Sequence, residues 1–197
     1  MRVVPAVGSL RRRDMYKALR NASIVAARSE RFRTVHVSLQ RDHVHMLAEA
    51  DHKGALARGM QGFQISAAKN INAALGDGAR PRRGKVFSDR YHLEVIKSPT
   101  QARHALSYVL NNGASTAKTS TAFASTWLVD PFSTAILFPD WMERRDEPWL
   151  WPIRDTYDPL VVFRPKTWVL REGWKKAGTI SYREVPGQRD RWSTRSR

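Results

Sequence analysis

The stretch VHVSLQRDHVHMLAEA, residues 35–50, decides the predicted fold, because apolar and polar side chains alternate along both of its halves. Successive side chains of a β-strand point to opposite faces, so the alternation predicts strands over residues 34–39 and 43–50. The polar break between them, residues 40–42, is short, which favours an antiparallel hairpin. Such a half-buried hairpin needs helices to cover its apolar face.

Helical periodicity lies on both sides of the hairpin. Residues 14–27 carry apolar side chains at helical spacing, with Asp14 in the N-cap position. Residues 54–75 repeat apolar side chains at steps of three and four, which predicts a long amphipathic helix. A third helix is predicted to begin at Ser98, with a proline in its first position, and to end at Gly113.

Two segments between the second and third helices complete the predicted core. Residues 76–84, GDGARPRRG, are rich in glycine, proline and arginine and predict a loop. Residues 86–96 alternate again and predict a third strand. Its apolar face would carry Phe87, Tyr91, Leu93 and Val95. The order of elements predicts an α+β fold with an antiparallel sheet backed by helices.

The character of the chain changes after Gly113. Residues 114–126 are small and polar and predict a linker, and all seven tryptophans lie in residues 127–197. We therefore predict a core over residues 1–113 and a basic, Trp-rich C-terminal extension of irregular structure over residues 127–197. The extension either wraps over the core or forms a second contact surface.

Charge and composition narrow the class of protein. The chain carries 34 Lys and Arg against 18 Asp and Glu, a net charge of +16. So large an excess favours a polyanionic partner, and nucleic acid is the default one. The absence of cysteine excludes disulfides and thiolate metal sites. Neither a membrane span nor a signal peptide is recognisable, so we expect a cytoplasmic, nucleoid-associated protein without membrane contact.

His43 and His45 project from one face of the second predicted strand. Two neutral imidazoles side by side suit a divalent metal ion and leave coordination positions open for substrate oxygens. The alternative is a pair of solvent-facing histidines, because His-x-His alone is a weak motif. Glu49 shares the strand parity of the two histidines, but we interpret it as a polar residue at the strand's end rather than as a ligand.

Tyr108 is the candidate nucleophile. On the third predicted helix it lies off the apolar stripe, on the face shared with His104 and Asn112. It could be a simple surface residue, but beside a metal ion its phenol, with an ordinary pKa of about 10, would be activated. The amide oxygen of Asn112, one turn on, could complete the metal shell. Tyr91 is the rival tyrosine, and its strand parity predicts a core position.

Four sequence segments resemble those of a known family: VHVSLQRDHVHMLAEA, ARGMQGFQISAAKNINAALG, GKVFSDRYH and QARHALSYVLNN. Over residues 3–112 the chain resembles the REP-associated tyrosine transposases of the HUH superfamily, relatives of the single-strand insertion-sequence transposases with one catalytic tyrosine. The resemblance implies a ferredoxin-like palm and a Mg²⁺ or Mn²⁺ ion. It implies His43, His45 and Asn112 as ligands and Tyr108 as nucleophile. It also implies single-stranded or hairpin DNA, such as REP-like inverted repeats, as substrate.

One departure concerns the start of the chain. In this family a strand normally precedes the segment RVVPAVGSLRRR, residues 2–13, whereas here that strand would already be ending at Met1. Either the start is assigned downstream of the true one or the strand is lost. A lost strand would leave an exposed sheet edge beside the histidine strand.

Basic residues are the predicted DNA contacts. We expect them to hold phosphates on either side of the nick, although each segment could also be an ordinary solvated loop or helix end. The residues are Arg11, Arg12, Arg13, Arg82, Arg83, Lys85, Arg90 and His92. Aromatic side chains of the extension could stack on unpaired bases or pack onto the core.

The predicted function is metal-dependent nicking and rejoining of single-stranded DNA through a 5′-phosphotyrosine intermediate. One alternative is a relative that nicks DNA at a replication or transfer origin, although the helicase region that usually accompanies such enzymes is absent. The other is a basic DNA-binding protein that has lost catalysis. The sequence is compatible with a monomer or a dimer.

Overall fold

The computed structural model describes residues 1–115, 128–145 and 157–185. In these ranges the sheet has two antiparallel strands, β1 (Phe32–Leu39) and β2 (Val44–Ala50). Ser38 pairs with His45, and the register shifts at a bulge between Thr34 and His36. The predicted hairpin is confirmed, and so is the α+β class, in the form of a ferredoxin-like palm that lacks a strand.

The three predicted helices are confirmed with small changes of bounds. They are α1 (Arg13–Ala26), α2 (Lys53–Ala74) and α3 (Pro99–Ser115), and a short α4 (Trp168–Arg171) follows in the extension. Asp14 lies inside the first turn of α1, because the N-cap residue is Arg12. α3 continues through Gly113 for two more residues. None of the described helices is long and apolar enough to cross a membrane.

The two faces of the sheet are covered by different elements. On one face α2 approaches so closely that a Cβ on Gly59 would come within 2.1 Å of the Phe32 ring. On the other face, His36 Nδ1 lies 3.1 Å from Thr134 Oγ1, and α3 brings Tyr108 against His45. α3 and the extension therefore cover the face of the sheet that carries His45.

The described part of the extension packs into the same core as residues 1–115. Trp141 and Ile180 are fully buried. The hydroxyl of Tyr16 on α1 lies 3.1 Å from that of Tyr157, which donates to the carbonyl oxygen of Pro131. These described residues wrap over the core. The linker was predicted over residues 114–126, and its part from residue 116 onward lies outside the described residues.

The third strand predicted over residues 86–96 is wrong. Only its first residues pair, where Val3 and Phe87 form an antiparallel bridge. Residues 88–96 belong to no strand or bridge within the described chain. Leu93 and Val95, which were predicted to face the core, are 49% and 60% exposed.

The first residues of the chain occupy the position beside β2. The amino group of Met1 donates to the carbonyl oxygen of Val44 at 3.0 Å, and the backbone N–H of Val44 donates to the carbonyl oxygen of Met1 at 2.8 Å. Arg2 forms a bridge with His43. Residues 1–4 thus lie between the start of β2 and residues 86–88, where the resemblance predicts a full strand.

His36 gives the fold a dependence on pH. Burial lowers its pKa from 6.5 to about 4, so the folded chain holds the imidazole neutral. The unfolded chain binds a proton below pH 6.5, and stability is therefore lost as pH falls from 6.5 towards 4, by about 3 kcal/mol in total. Urea titrations across this range should show a smaller loss for His36→Leu than for the unmodified chain. Equal losses in both proteins would contradict the assignment.

Candidate active site

His43 and His45 meet through their ring nitrogens at the start of β2. Nε2 of His43 lies 2.8 Å from Nε2 of His45, and the ring planes are inclined at 87°. Both side chains are half-buried. Period-two strand geometry places the two rings on one face, as the sequence predicted. In the structure their Nε2 atoms face each other at hydrogen-bond distance.

Asp42 orients the first of these rings. Its carboxylate lies 2.6 Å from Nδ1 of His43 and accepts the Nδ1 proton, while Nε2 on the other side of the ring faces His45. The hydrogen bond from His43 lowers the pKa of Asp42, in spite of the opposing effect of desolvation. A carboxylate behind a histidine is the usual support of a metal-ligating imidazole. From the sequence alone, Asp42 was assigned only to a polar turn. Its position directly before His43 is the feature that could have indicated this supporting role.

His45 is in the form that a metal ligand needs. Burial lowers its pKa to about 4, and the charges of His43 and of the chain's amino group lower it further. The ring is therefore neutral at physiological pH, and its unprotonated nitrogen offers one lone pair to a cation.

Tyr108 reaches the same point from α3. Its hydroxyl lies 3.3 Å from Nε2 of His45, and the two rings meet edge to face with centroids 4.9 Å apart. The side chain is 43% exposed, while Leu106 and Val109 beside it are buried. The predicted position off the apolar stripe is correct, and the structure places His43, His45 and Tyr108 together.

The other candidates occupy different surroundings. Asn112 lies one turn after Tyr108 on α3 and is half-buried, and its ligand role stays a prediction. Glu49 is buried and accepts the backbone N–H groups of Lys166 and Thr167 at 2.7 and 2.9 Å. Glu49 thus fastens the extension to β2, which agrees with its interpretation as a structural polar residue. Tyr91 is partly buried against the core.

The donor set fits a divalent ion. Two nitrogens about 2.1 Å from one ion, in adjacent octahedral positions, would lie about 3.0 Å apart, close to the separation of the two Nε2 atoms. The described residues contain no group of three or more His, Cys, Asp and Glu side chains able to hold a metal. We expect the amide oxygen of Asn112 and oxygens of the substrate as further ligands.

Arg11 is not a DNA contact, which corrects the prediction. Its guanidinium forms a bidentate pair with Asp130, with both distances 2.8 Å, and also donates to the carbonyl oxygen of Leu39 at 3.0 Å. The residue is only 9% exposed and lies over the ring of Phe132. The contacts with Asp130 and Phe132 fasten the extension to the core, and they turn the guanidinium inward, away from the surface where a phosphate would bind.

The remaining cations are distributed around the site. Arg12 is exposed and paired with Asp14, and Arg82 is half-buried with Nη1 2.8 Å from Oδ1 of Asn72. The others are exposed: Arg13, Arg83, Lys85, Arg90 and His92. Residues 86–88 pair with residues 2–4, and Arg2 forms a bridge with His43, so the segment that carries Lys85 and Arg90 runs past the residues beside the histidine strand. Their contact with DNA stays a prediction.

Comparison with known proteins agrees with this geometry. Residues 8–112 match the family described as "Transposase IS200 like". No curated protein and no solved structure gives a significant match. The matched region contains both histidines and Tyr108, and it covers more than half of the chain. The chain belongs to the family of IS200-like transposases.

Proposed function

We propose that this transposase nicks and rejoins single-stranded DNA through a covalent bond to Tyr108. The observation that carries the proposal is the convergence of three groups. The Tyr108 hydroxyl lies 3.3 Å from Nε2 of His45, which lies 2.8 Å from Nε2 of His43. A nucleophile beside two imidazoles that can hold a cation suits metal-assisted phosphoryl transfer.

The chemistry follows from the residues present. The Tyr108 oxygen attacks the scissile phosphorus and loses its proton, and the bond from phosphorus to the 3′ oxygen breaks. The products are a phosphotyrosine on the 5′ side, as the family resemblance implies, and a free 3′-hydroxyl. Attack by another 3′-hydroxyl reverses the step and rejoins strands without ATP. A bound cation would polarise the phosphate and stabilise its developing charge.

The cation would be held by His43 and His45, with Asp42 fixing the first ring. Imidazole nitrogens suit transition metals better than Mg²⁺, so Mn²⁺ fits this donor set better than Mg²⁺. We further propose the REP-associated subtype, with hairpin or single-stranded DNA as substrate. The support for this subtype is the order of the four sequence segments quoted above, together with the exposed basic side chains of the segment that carries Arg83 and Arg90.

The proposed DNA contacts predict a steep dependence on salt. Each phosphate contact that is lost should reduce the slope of log affinity against log salt by about 1. Replacing Arg83 and Arg90 by alanine together should reduce the slope without changing base preference, whereas Lys69→Ala, on the outer surface of α2, should leave it unchanged. Fluorescence anisotropy with a labelled single strand measures this. A flat dependence for the unmodified chain would refute the electrostatic account.

Covalent capture tests the proposed activity. The purified chain is incubated with Mn²⁺ and labelled single strands copied from both strands of the DNA that flanks its gene. We expect a protein–DNA adduct that survives a denaturing gel and disappears when EDTA is added first. Binding without any adduct would favour the alternative of a DNA-binding protein that has lost catalysis.

A further inference from the structure

A turn of the extension, residues 179–184, holds one stripe of α3. Nη2 of Arg103 donates to Oε1 of Glu184 at 2.6 Å, and Oγ of Ser107 donates to Oε2 of the same carboxylate at 2.8 Å. Asn111 donates to the carbonyl oxygen of Ser181 at 2.9 Å. The three α3 residues recur every four positions, so the turn contacts three successive turns of the helix along one side.

These contacts are shielded from water. Arg103, Ser107 and Asn111 are 9%, 5% and 3% exposed. The carboxylate of Glu184 also accepts the backbone N–H of Ser181 at 3.0 Å, so it closes its own turn while it holds the helix. Buried, charge-assisted hydrogen bonds of this kind are short and specific in direction. Removing one partner leaves the other without a hydrogen-bond partner in a shielded position.

The stripe and the nucleophile lie on different flanks of α3. At 100° per residue, Tyr108 is rotated by about 100° from Ser107 and about 140° from Arg103. If the hydrogen bonds from the turn to α3 were lost, the helix could rotate, and this rotation would move the Tyr108 hydroxyl relative to His45. Tyr108 itself is 43% exposed, whereas the three residues of the stripe are buried.

We propose that Glu184 is a positioning residue for Tyr108. It fixes the rotation of α3 through side chains that lie about 100° to 140° around the helix from Tyr108, and so sets the distance from the phenol oxygen to the two imidazoles. This role rests on the proposed function of Tyr108. Misplacement of a nucleophile by about 1 Å can reduce its rate about 100-fold, so loss of the brace should reduce the rate of attack and leave DNA binding unchanged.

The chain supplies a matched control. Glu143 binds the same turn, through the hydroxyl of Ser181 and the backbone N–H of Tyr182, and none of its described contacts is to α3. Glu143→Ala therefore loosens the turn itself, whereas Glu184→Ala also releases Arg103 and Ser107. Glu184→Gln keeps one carbonyl oxygen and adds an amide that can donate to Ser107, so it serves as the rescue variant.

Single-turnover adduct formation, measured well below the unfolding temperature of every variant, tests the proposal. The probe is the Mn²⁺-loaded chain with the single strand that the unmodified chain captures. Glu184→Ala should form adduct about 10- to 100-fold more slowly at unchanged DNA affinity. Glu184→Gln should recover much of the rate, and Glu143→Ala should keep it. An undiminished rate in folded Glu184→Ala, or an equal loss in Glu143→Ala, would overturn the positioning role.

Hydrogen exchange separates this proposal from the proposed function. The backbone amides of residues 103–112 should exchange faster in Glu184→Ala than in Glu143→Ala, whether or not any adduct forms. If the unmodified chain forms no adduct, the proposed chemistry fails, and the exchange comparison still decides whether Glu184 braces α3. Equal exchange in the two variants would overturn the brace.

Discussion

Replacing either His43 or His45 by alanine is expected to reduce DNA cleavage by about 10²- to 10³-fold or more, because each change removes a proposed ligand of the charge-stabilising cation. DNA affinity should change little, since it is assigned to lysine and arginine side chains. Adduct formation and anisotropy, measured on the same preparations, separate the two effects. EDTA should reproduce the loss in the unmodified chain.

Asp42→Asn provides a graded variant of the same test. It keeps both imidazoles but replaces the carboxylate that orients His43 with a weaker acceptor. Loss of such a supporting carboxylate typically weakens metal binding about 10- to 100-fold, so raised Mn²⁺ should restore cleavage in Asp42→Asn and not in His43→Ala. Undiminished nicking in EDTA would remove the metal from the mechanism and leave the histidines as a polar pair on the sheet.

Local patterns predicted the central part of this site. The period-two alternation around His43 and His45 is a property of a few adjacent residues, so it predicted their shared face without knowledge of the rest of the fold. Helical rotation likewise placed Tyr108 off the apolar stripe. The sequence could not show how close the hydroxyl comes to His45, because that distance depends on how α3 packs on the sheet.

The errors came from contacts between distant parts of the chain. Residues 86–96 alternate like a strand, but a strand also needs a partner, and within the described chain Phe87 forms a single bridge, to Val3. Arg11 belongs to a basic run of three, yet its partner Asp130 lies 119 positions away. Glu184 was missed for a similar reason, since its partners Arg103 and Ser107 lie 81 and 77 positions away, whereas Asp42 stands directly before its partner His43 and was assigned only to a polar turn.

Tyr108→Phe is expected to abolish the covalent adduct while leaving DNA binding intact. Phenylalanine keeps the ring that packs against His45, but only the hydroxyl oxygen can form the bond to phosphorus. Tyr91→Phe is the matched control, since Tyr91 packs partly against the core and its ring would be retained. Denaturing gels and anisotropy should show the adduct lost only with the first change. An adduct that survives Tyr108→Phe and vanishes with Tyr91→Phe would show the reverse assignment.

The most direct test of the central claim locates the covalent bond in the unmodified chain. The two tyrosines fall on different tryptic peptides, YHLEVIK (residues 91–97) and HALSYVLNNGASTAK (residues 104–118). After nuclease digestion of the adduct, mass spectrometry should find the residual nucleotide on residues 104–118, with fragment ions that place it on Tyr108. A nucleotide on residues 91–97, or unmodified copies of both peptides in the isolated adduct, would contradict the account.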